Sequence, residues 1–380
     1  MLVVDPGVAH GTDLPFGSYA AVGEAGRRRL AVELSRRLGA LGVVVITLHP
    51  ALPPRGEPFH WGRWFTAAAR SVLARVRREG RPLDTLGYAG AGSLALADDR
   101  LLEALVSPIP GEVVGNNRYS TDAFMVAGDA AGAGDLESAL AALESCSTDN
   151  AAVRCLEAAG FAPRDLSARP WARFDVDTPL DLALLRLATR LPATRRPDGL
   201  VTAFLEMATL PAGRGLELPR LERIGEVLRD REAQLVVAGR IPSSAWAYLE
   251  TESACRVRCF IEERGMRSAR DAVPHSMLAD WAERLGPADL VAELASLGDA
   301  VVLDSRVLMA SRAGSSDPAE WPPAEDRFAS DFLDAERVVT PWLSELAAAA
   351  AASEVPFLLG GHALVSDGLR ILVDAAWLGR

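Results

Sequence analysis

The stretch Arg173-Phe174-Asp175-Val176-Asp177-Thr178-Pro179-Leu180-Asp181-Leu182 decides how the first half of the chain is read. It predicts a short strand that ends in two carboxylates, because side chains two apart on an extended segment share a face. Thr178 is a favourable N-cap, Pro179 suits the first helical position, and Asp181 complements the positive start of a helix. An apolar helix over 180–188 therefore follows. Asp175 and Asp177 on one face can hold a divalent cation or accept from sugar hydroxyls. They can equally do no more than shape the strand-to-helix turn.

Working outward from it, residues 2–4 predict a strand that runs into a loop, 5–17, holding Gly7, Gly11 and Gly17. Such a loop can bring backbone N–H groups to a phosphate or form a tight surface turn. Leu30, Leu34, Leu38 and Leu41 recur at helical spacing over 24–41, and Val43–Thr47 reads as a buried strand. The cluster Phe59-His60-Trp61-Gly62-Arg63-Trp64-Phe65 is either one wall of a base or sugar pocket or a helix anchor packed on the core. Asp84–Tyr88 reads as a central strand, and Gly90-Ala91-Gly92-Ser93-Leu94-Ala95 after it is a weak dinucleotide fingerprint, kept as a minor alternative.

The run Glu112–Asp122 delivers Asn116, Asn117, Arg118, Tyr119, Ser120 and Thr121 from a strand before Ala123–Ala127 resumes one. Asparagine side chains suit a base edge or sugar, and Arg118 suits a phosphate. Asp122 can serve as a metal ligand. The alternative is a hydrogen-bonded bulge or hairpin loop.

The 175–182 stretch resembles the D-x-D/N-T-P-x-D-L signature of nucleotidyltransferases of the molybdenum-cofactor guanylyltransferase and phospholactate guanylyltransferase type. The segments 84–88, 89–93, 94–105 and 147–152 fall in that family's order, so the likeness spans roughly residues 1–190. It implies a glycosyltransferase-A-like fold, a nucleoside triphosphate substrate and a divalent metal, Mg or Mn, with Asp177 as a metal ligand and Asp122 as a substitute for the ligand missing after the central strand. Asp122, Asp175, Asp177 and Arg118 would be catalytic, and Gly7, Gly11, Gly90, Gly92, Asn116 and Asn117 would line the nucleotide. The chain departs from that family at two points. It lacks the glycine-rich opening loop followed by a lysine, and indeed has no lysine anywhere. Gly90 and Gly92 also stand where the family places its metal-binding aspartate.

At 380 residues the chain predicts two α/β/α domains with mostly parallel sheets: 1–191, a linker at 192–199 rich in Pro and Arg, and 200–380. A formal charge of −11 argues against broad nucleic-acid binding. Without a basic-apolar leader or a long apolar run, a cytoplasmic protein is expected. The missing lysine excludes a Schiff base on this chain and a P-loop. Cys146, Cys155, Cys255 and Cys259 lack metal spacing and read as buried free thiols.

In the second half, helices alternate with strands at 234–239, 256–262, 300–309 and 356–359, and 364–376 fits either type. Polar residues gather at the predicted strand ends. Glu262, Asp304, Arg306 and His362 are the candidates there, set against a network of inter-strand ion pairs as the alternative. Three functions follow: a metal-dependent nucleotidyltransferase, a non-catalytic ligand-binding descendant of that fold, or an enzyme whose active site lies in the second half.

Overall fold

The computed structural model describes residues 2–4, 17–48, 59–80, 83–129, 134–192, 194–263 and 275–378. It is a mixed α/β structure in two compact units. The first holds residues 1–13, 24–177 and 195–201; the second holds 14–23, 178–194 and 202–380. Gly7 and Gly11 lie outside the described residues.

The first unit is built on a six-stranded sheet, ordered β2-β1-β3-β5-β4-β6. Its strands are β1 (Leu2–Val4), β2 (Ile46–Leu48), β3 (Thr85–Ala89), β4 (Glu112–Gly115), β5 (Ala123–Ala127) and β6 (Ala162–Asp165). All neighbours are parallel except those of β5, which runs against both β3 and β4. Strand alternation sends Leu86, Tyr88, Val113, Phe124 and Val126 to one core. Ala89, Val114 and Ala123 go to the other. Both faces are thus covered, as a largely parallel sheet requires.

The helix Trp61–Arg78 packs on the first face through Trp61, Phe65, Ala69 and Leu73. Trp61 and Phe65 stack at 4.9 Å, and both meet Tyr88 edge to face. The aromatic cluster is therefore a helix anchor and not a pocket wall. His60 caps that helix, its Nδ1 accepting from the Arg63 N–H at 3.3 Å.

Three local expectations are corrected. The segment around Asp175 is extended but, among the described residues, makes a single isolated bridge, Ser93 to Asp175, because Gly90–Leu96 is a turn with no strand to pair. The strand at 43–47 shrinks to β2 at the sheet edge, where one side is left half-covered. Cys146 and Cys155 are not free thiols: they form a disulfide pair with Cα atoms 7.1 Å apart, because the helix end at Cys146 and the helix Ala152–Ala158 pack together. Cys255 and Cys259 stay free.

The second unit has a four-stranded, fully parallel sheet in the order β10-β9-β7-β8. The strands are β7 (Gln234–Gly239), β8 (Arg256–Ile261), β9 (Ala300–Asp304) and β10 (Phe357–Gly360). The expected strand 300–309 stops at Asp304, and the apolar run after it is the helix Arg306–Ala313. Apolar periodicity over so few residues does not separate the two types. The segment from 364 is helical.

The helix Pro179–Ala188 belongs to this unit and is buried on nearly all sides. It starts as its sequence predicts. The Thr178 hydroxyl accepts from the Asp181 N–H at 3.2 Å, and Asp181 accepts from the Thr178 N–H at 2.8 Å, a reciprocal capping box. Thr178→Ala should cost about 1 kcal/mol, read as a lower urea midpoint at unchanged slope. No helix among the described residues is long and apolar enough to cross a membrane.

Candidate functional site

In the first unit the antiparallel course of β5 has a chemical consequence. It places Asp122, the residue just before β5, beside the carboxyl end of β3. The Gly90 N–H donates to the Asp122 carbonyl at 2.9 Å. Two further carboxylates, Asp149 and Asp177, lie close enough for their charges to act on it. Asp149 is on the short 3-10 turn Asp149–Ala151 and accepts from the Tyr88 hydroxyl at 2.9 Å. Burial, then the charge of Asp149, pushes the Asp122 carboxyl up to about 8, and Asp177 adds to the rise. Near neutral pH Asp122 therefore holds its proton.

The other residues singled out in the sequence have definite places. Asn116 is buried, and its amide is spent on the protein. Its Nδ2 donates to Asp122 at 3.2 Å and to the Ala172 carbonyl at 3.1 Å. Its Oδ1 accepts from the Asp122 and Ala123 N–H groups, both at 3.0 Å. Asn116 is thus a scaffold for the Asp122 turn. Asn117 accepts from the Tyr119 N–H at 3.2 Å within the same loop. Arg118 turns to Glu157, its Nε donating at 3.0 Å and its Nη2 closing a second bond. The polar run is a hydrogen-bonded hairpin loop between β4 and β5.

Gly92 serves the protein as well. A Cβ there would lie 2.1 Å from the Val176 carbonyl oxygen and 2.9 Å from Asp175 Oδ1. The missing side chain is what lets the 175–177 segment cross the turn, where the Val176 N–H donates to the Gly92 carbonyl at 3.2 Å. Asp175 is half-buried beside Gly92, and Asp177 is exposed. The charges of Asp149 and Asp177 thus both reach Asp122. Asp149 sits in a loop without periodicity, so no spacing rule singles it out.

Carboxylates are the oxygen donors that Mg or Mn prefers. Among the described residues, however, no three of His, Cys, Asp and Glu gather closely enough to enclose a metal ion. One or two carboxylates are also what a Mg ion takes from a protein when it shares its remaining positions with substrate phosphates.

In the second unit, the carboxyl ends of β7, β9 and β10 hold two charge pairs. Asp304 is fully buried and takes Arg240 bidentately, Nε at 2.6 Å and Nη2 at 2.9 Å. Arg306 takes Asp331 bidentately at 2.7 and 2.6 Å, also out of solvent. Burial works to raise Asp304, but the Arg240 guanidinium, with His362 and Arg306, outweighs it and holds the carboxyl below its ordinary value. His362 is exposed. Glu262 is turned elsewhere: its Oε1 accepts from Ser276 Oγ at 3.1 Å and the Leu278 N–H at 2.8 Å, which fixes the start of the helix Met277–Leu285. All four predicted residues lie at the carboxyl edge of the sheet, Glu262 with its N–H donating to the Gly239 carbonyl at 2.8 Å, but the Glu262 side chain is spent on the helix start.

No family model, curated protein or solved structure matches this chain.

Proposed function

We propose that the first unit binds a nucleoside triphosphate, or a related phosphorylated donor, at the Asp122/Asp149/Asp177 edge, and transfers its nucleotidyl group to a small phosphorylated or sugar-like acceptor. The observation that carries this reading is the placement of Asp122 beside the carboxyl end of β3, where Asp149 is held by Tyr88 and the charges of Asp149 and Asp177 act on Asp122. The nearby acidic charges keep Asp122 protonated, and a cation that displaced that proton would relieve their repulsion. When bound, a divalent cation would neutralise phosphate charge. Asp122 and Asp177 are the residues that would hold it, and Asn116 and Tyr88 keep Asp122 and Asp149 in place. The protein would act by positioning and charge neutralisation, not by covalent catalysis.

A second reading is a non-catalytic ligand-binding relative of that fold. It is favoured by Arg118 and Asn116 being spent on protein groups and by the absence of lysine.

A panel of nucleoside triphosphates with Mg²⁺ or Mn²⁺, read by thermal shift, separates the two. On the transfer reading one nucleotide stabilises the protein only with metal, by about 2.7 kcal/mol at one hundred times its dissociation constant. Asp122→Asn and Asp177→Asn each remove most of that gain. The metal-dependent gain should grow as pH rises towards about 8, because Asp122 must lose its proton to bind a cation. A flat panel, or binding unaltered in both variants, defeats the transfer reading.

A further inference from the structure

The order of the second sheet reverses between β7 and β9. From β7 the chain passes to β8 on one side, then crosses back to β9 on the other. In open parallel sheets such a reversal leaves a crevice outside the carboxyl ends of the two strands, the usual ligand position. Here the two strands end in Gly239-Arg240 and Asp304-Ser305-Arg306. Gly239 has φ 131°, and a Cβ on it would lie 2.3 Å from the Asp304 Cβ. Only glycine therefore lets the two strand ends close on each other.

That closeness fixes Arg240. Its Nε and Nη2 form a fork on Asp304. A planar guanidinium has five N–H donors, so the Nη1 edge is directed away from Asp304. The Arg240 side chain keeps 14% of its surface, whereas Asp304 keeps none. Arg306 is different: it is committed to Asp331 and to Ser305 Oγ. His362 stands at the end of β10, the strand beside β9, and its charge acts on Asp304. Buried ion pairs contribute little to stability compared with apolar replacements. A fully buried carboxylate that orients an arginine side chain still partly open to solvent is better understood as positioning.

We propose that this edge is an oxyanion site, in which Arg240, aimed by Asp304 and flanked by His362, receives the phosphate or carboxylate group of a small ligand. It is independent of the acidic edge of the first unit, whose chemistry is of opposite sign.

The test uses the full chain at constant ionic strength, with melting followed in chloride and then with inorganic phosphate or acetate as probe. At least one probe should stabilise the native protein in proportion to its binding. Arg240→Lys keeps a cation against Asp304 but loses the planar fork, and should weaken that probe about tenfold. His362→Gln changes an exposed side chain and should weaken it about threefold, beyond whatever change it makes to the chloride melting point. Asp177→Asn should leave the probe's effect intact. Stabilisation by phosphate alone assigns a phosphorylated ligand, and stabilisation by acetate assigns a carboxylate. If Arg240→Lys melts lower in chloride, His362→Gln alone reads the site. The proposal is overturned if neither probe stabilises the protein, if His362→Gln responds as wild type does, or if the effect disappears in Asp177→Asn.

Discussion

Arg306→Met should destabilise the protein by about 3–5 kcal/mol, because it leaves the fully buried Asp331 carboxylate without its counter-charge. In the wild-type protein burial pushes the Asp331 carboxyl above its ordinary value, while Arg306 acts to pull it back down. Removing Arg306 leaves the upward push dominant. The sign of the pH dependence follows. A carboxyl raised in the folded state favours folding when protonated, and that contribution is lost as pH climbs through its folded value. The variant's deficit should be smallest below about pH 4, where Asp331 is protonated in both states, and should widen as pH rises to neutrality. The double variant Arg306→Met/Asp331→Leu removes both charges and should recover most of the loss. Urea titrations of the three proteins at pH 4 and pH 7 check this. A single-variant deficit that does not change with pH would show that the loss comes from packing and not from an unpaired charge.

Gly92→Ala should cost about 1–3 kcal/mol and impair the candidate site as well. The added Cβ meets backbone, the Val176 carbonyl at 2.1 Å, so the 175–177 segment has to move. Asp177 moves with it. If that segment holds a cation and a nucleotide, their joint binding should weaken by more than the stability loss accounts for. Gly90→Ala is the control. Its Cβ would lie 3.5 Å from the Asp122 carbonyl oxygen, an ordinary contact, so both stability and binding should be nearly unchanged. Denaturant midpoints and metal-dependent thermal shifts of the two variants decide the matter. Equal behaviour of the two glycine variants would remove the 175–177 segment from the site.

Much of the backbone was legible from local rules. The strand Gln234–Gly239 is a bounded apolar run, and the helix Pro179–Ala188 begins at the Thr-Pro-x-Asp that predicts it. These features depend on neighbours a few residues apart, which is the range over which capping and periodicity act. Where the period was short the type was lost. Val307–Met309 reads as a continuation of β9, yet the chain turns at Ser305 and coils.

The site was less legible, for a physical reason. Asp122 and Asp177 were visible as acidic residues at the ends of predicted strands, but Asp149 was not, because only the pairing of β5 against β3 brings its loop beside Tyr88 and Asp122. The polar run 116–118 looked like ligand chemistry in one dimension. In three, Asn116 holds a turn and Arg118 meets Glu157, a partner 39 residues away. Arg240 and Asp304, 64 residues apart, form a pair only because β7 and β9 are neighbours in the sheet. Composition and patterning by themselves determined an α/β chain without lysine, rich in arginine and acidic overall. Which polar groups are spent on the protein and which face outward was decided by strand order alone, since hydrogen bonding and desolvation depend on distance in space and not along the chain.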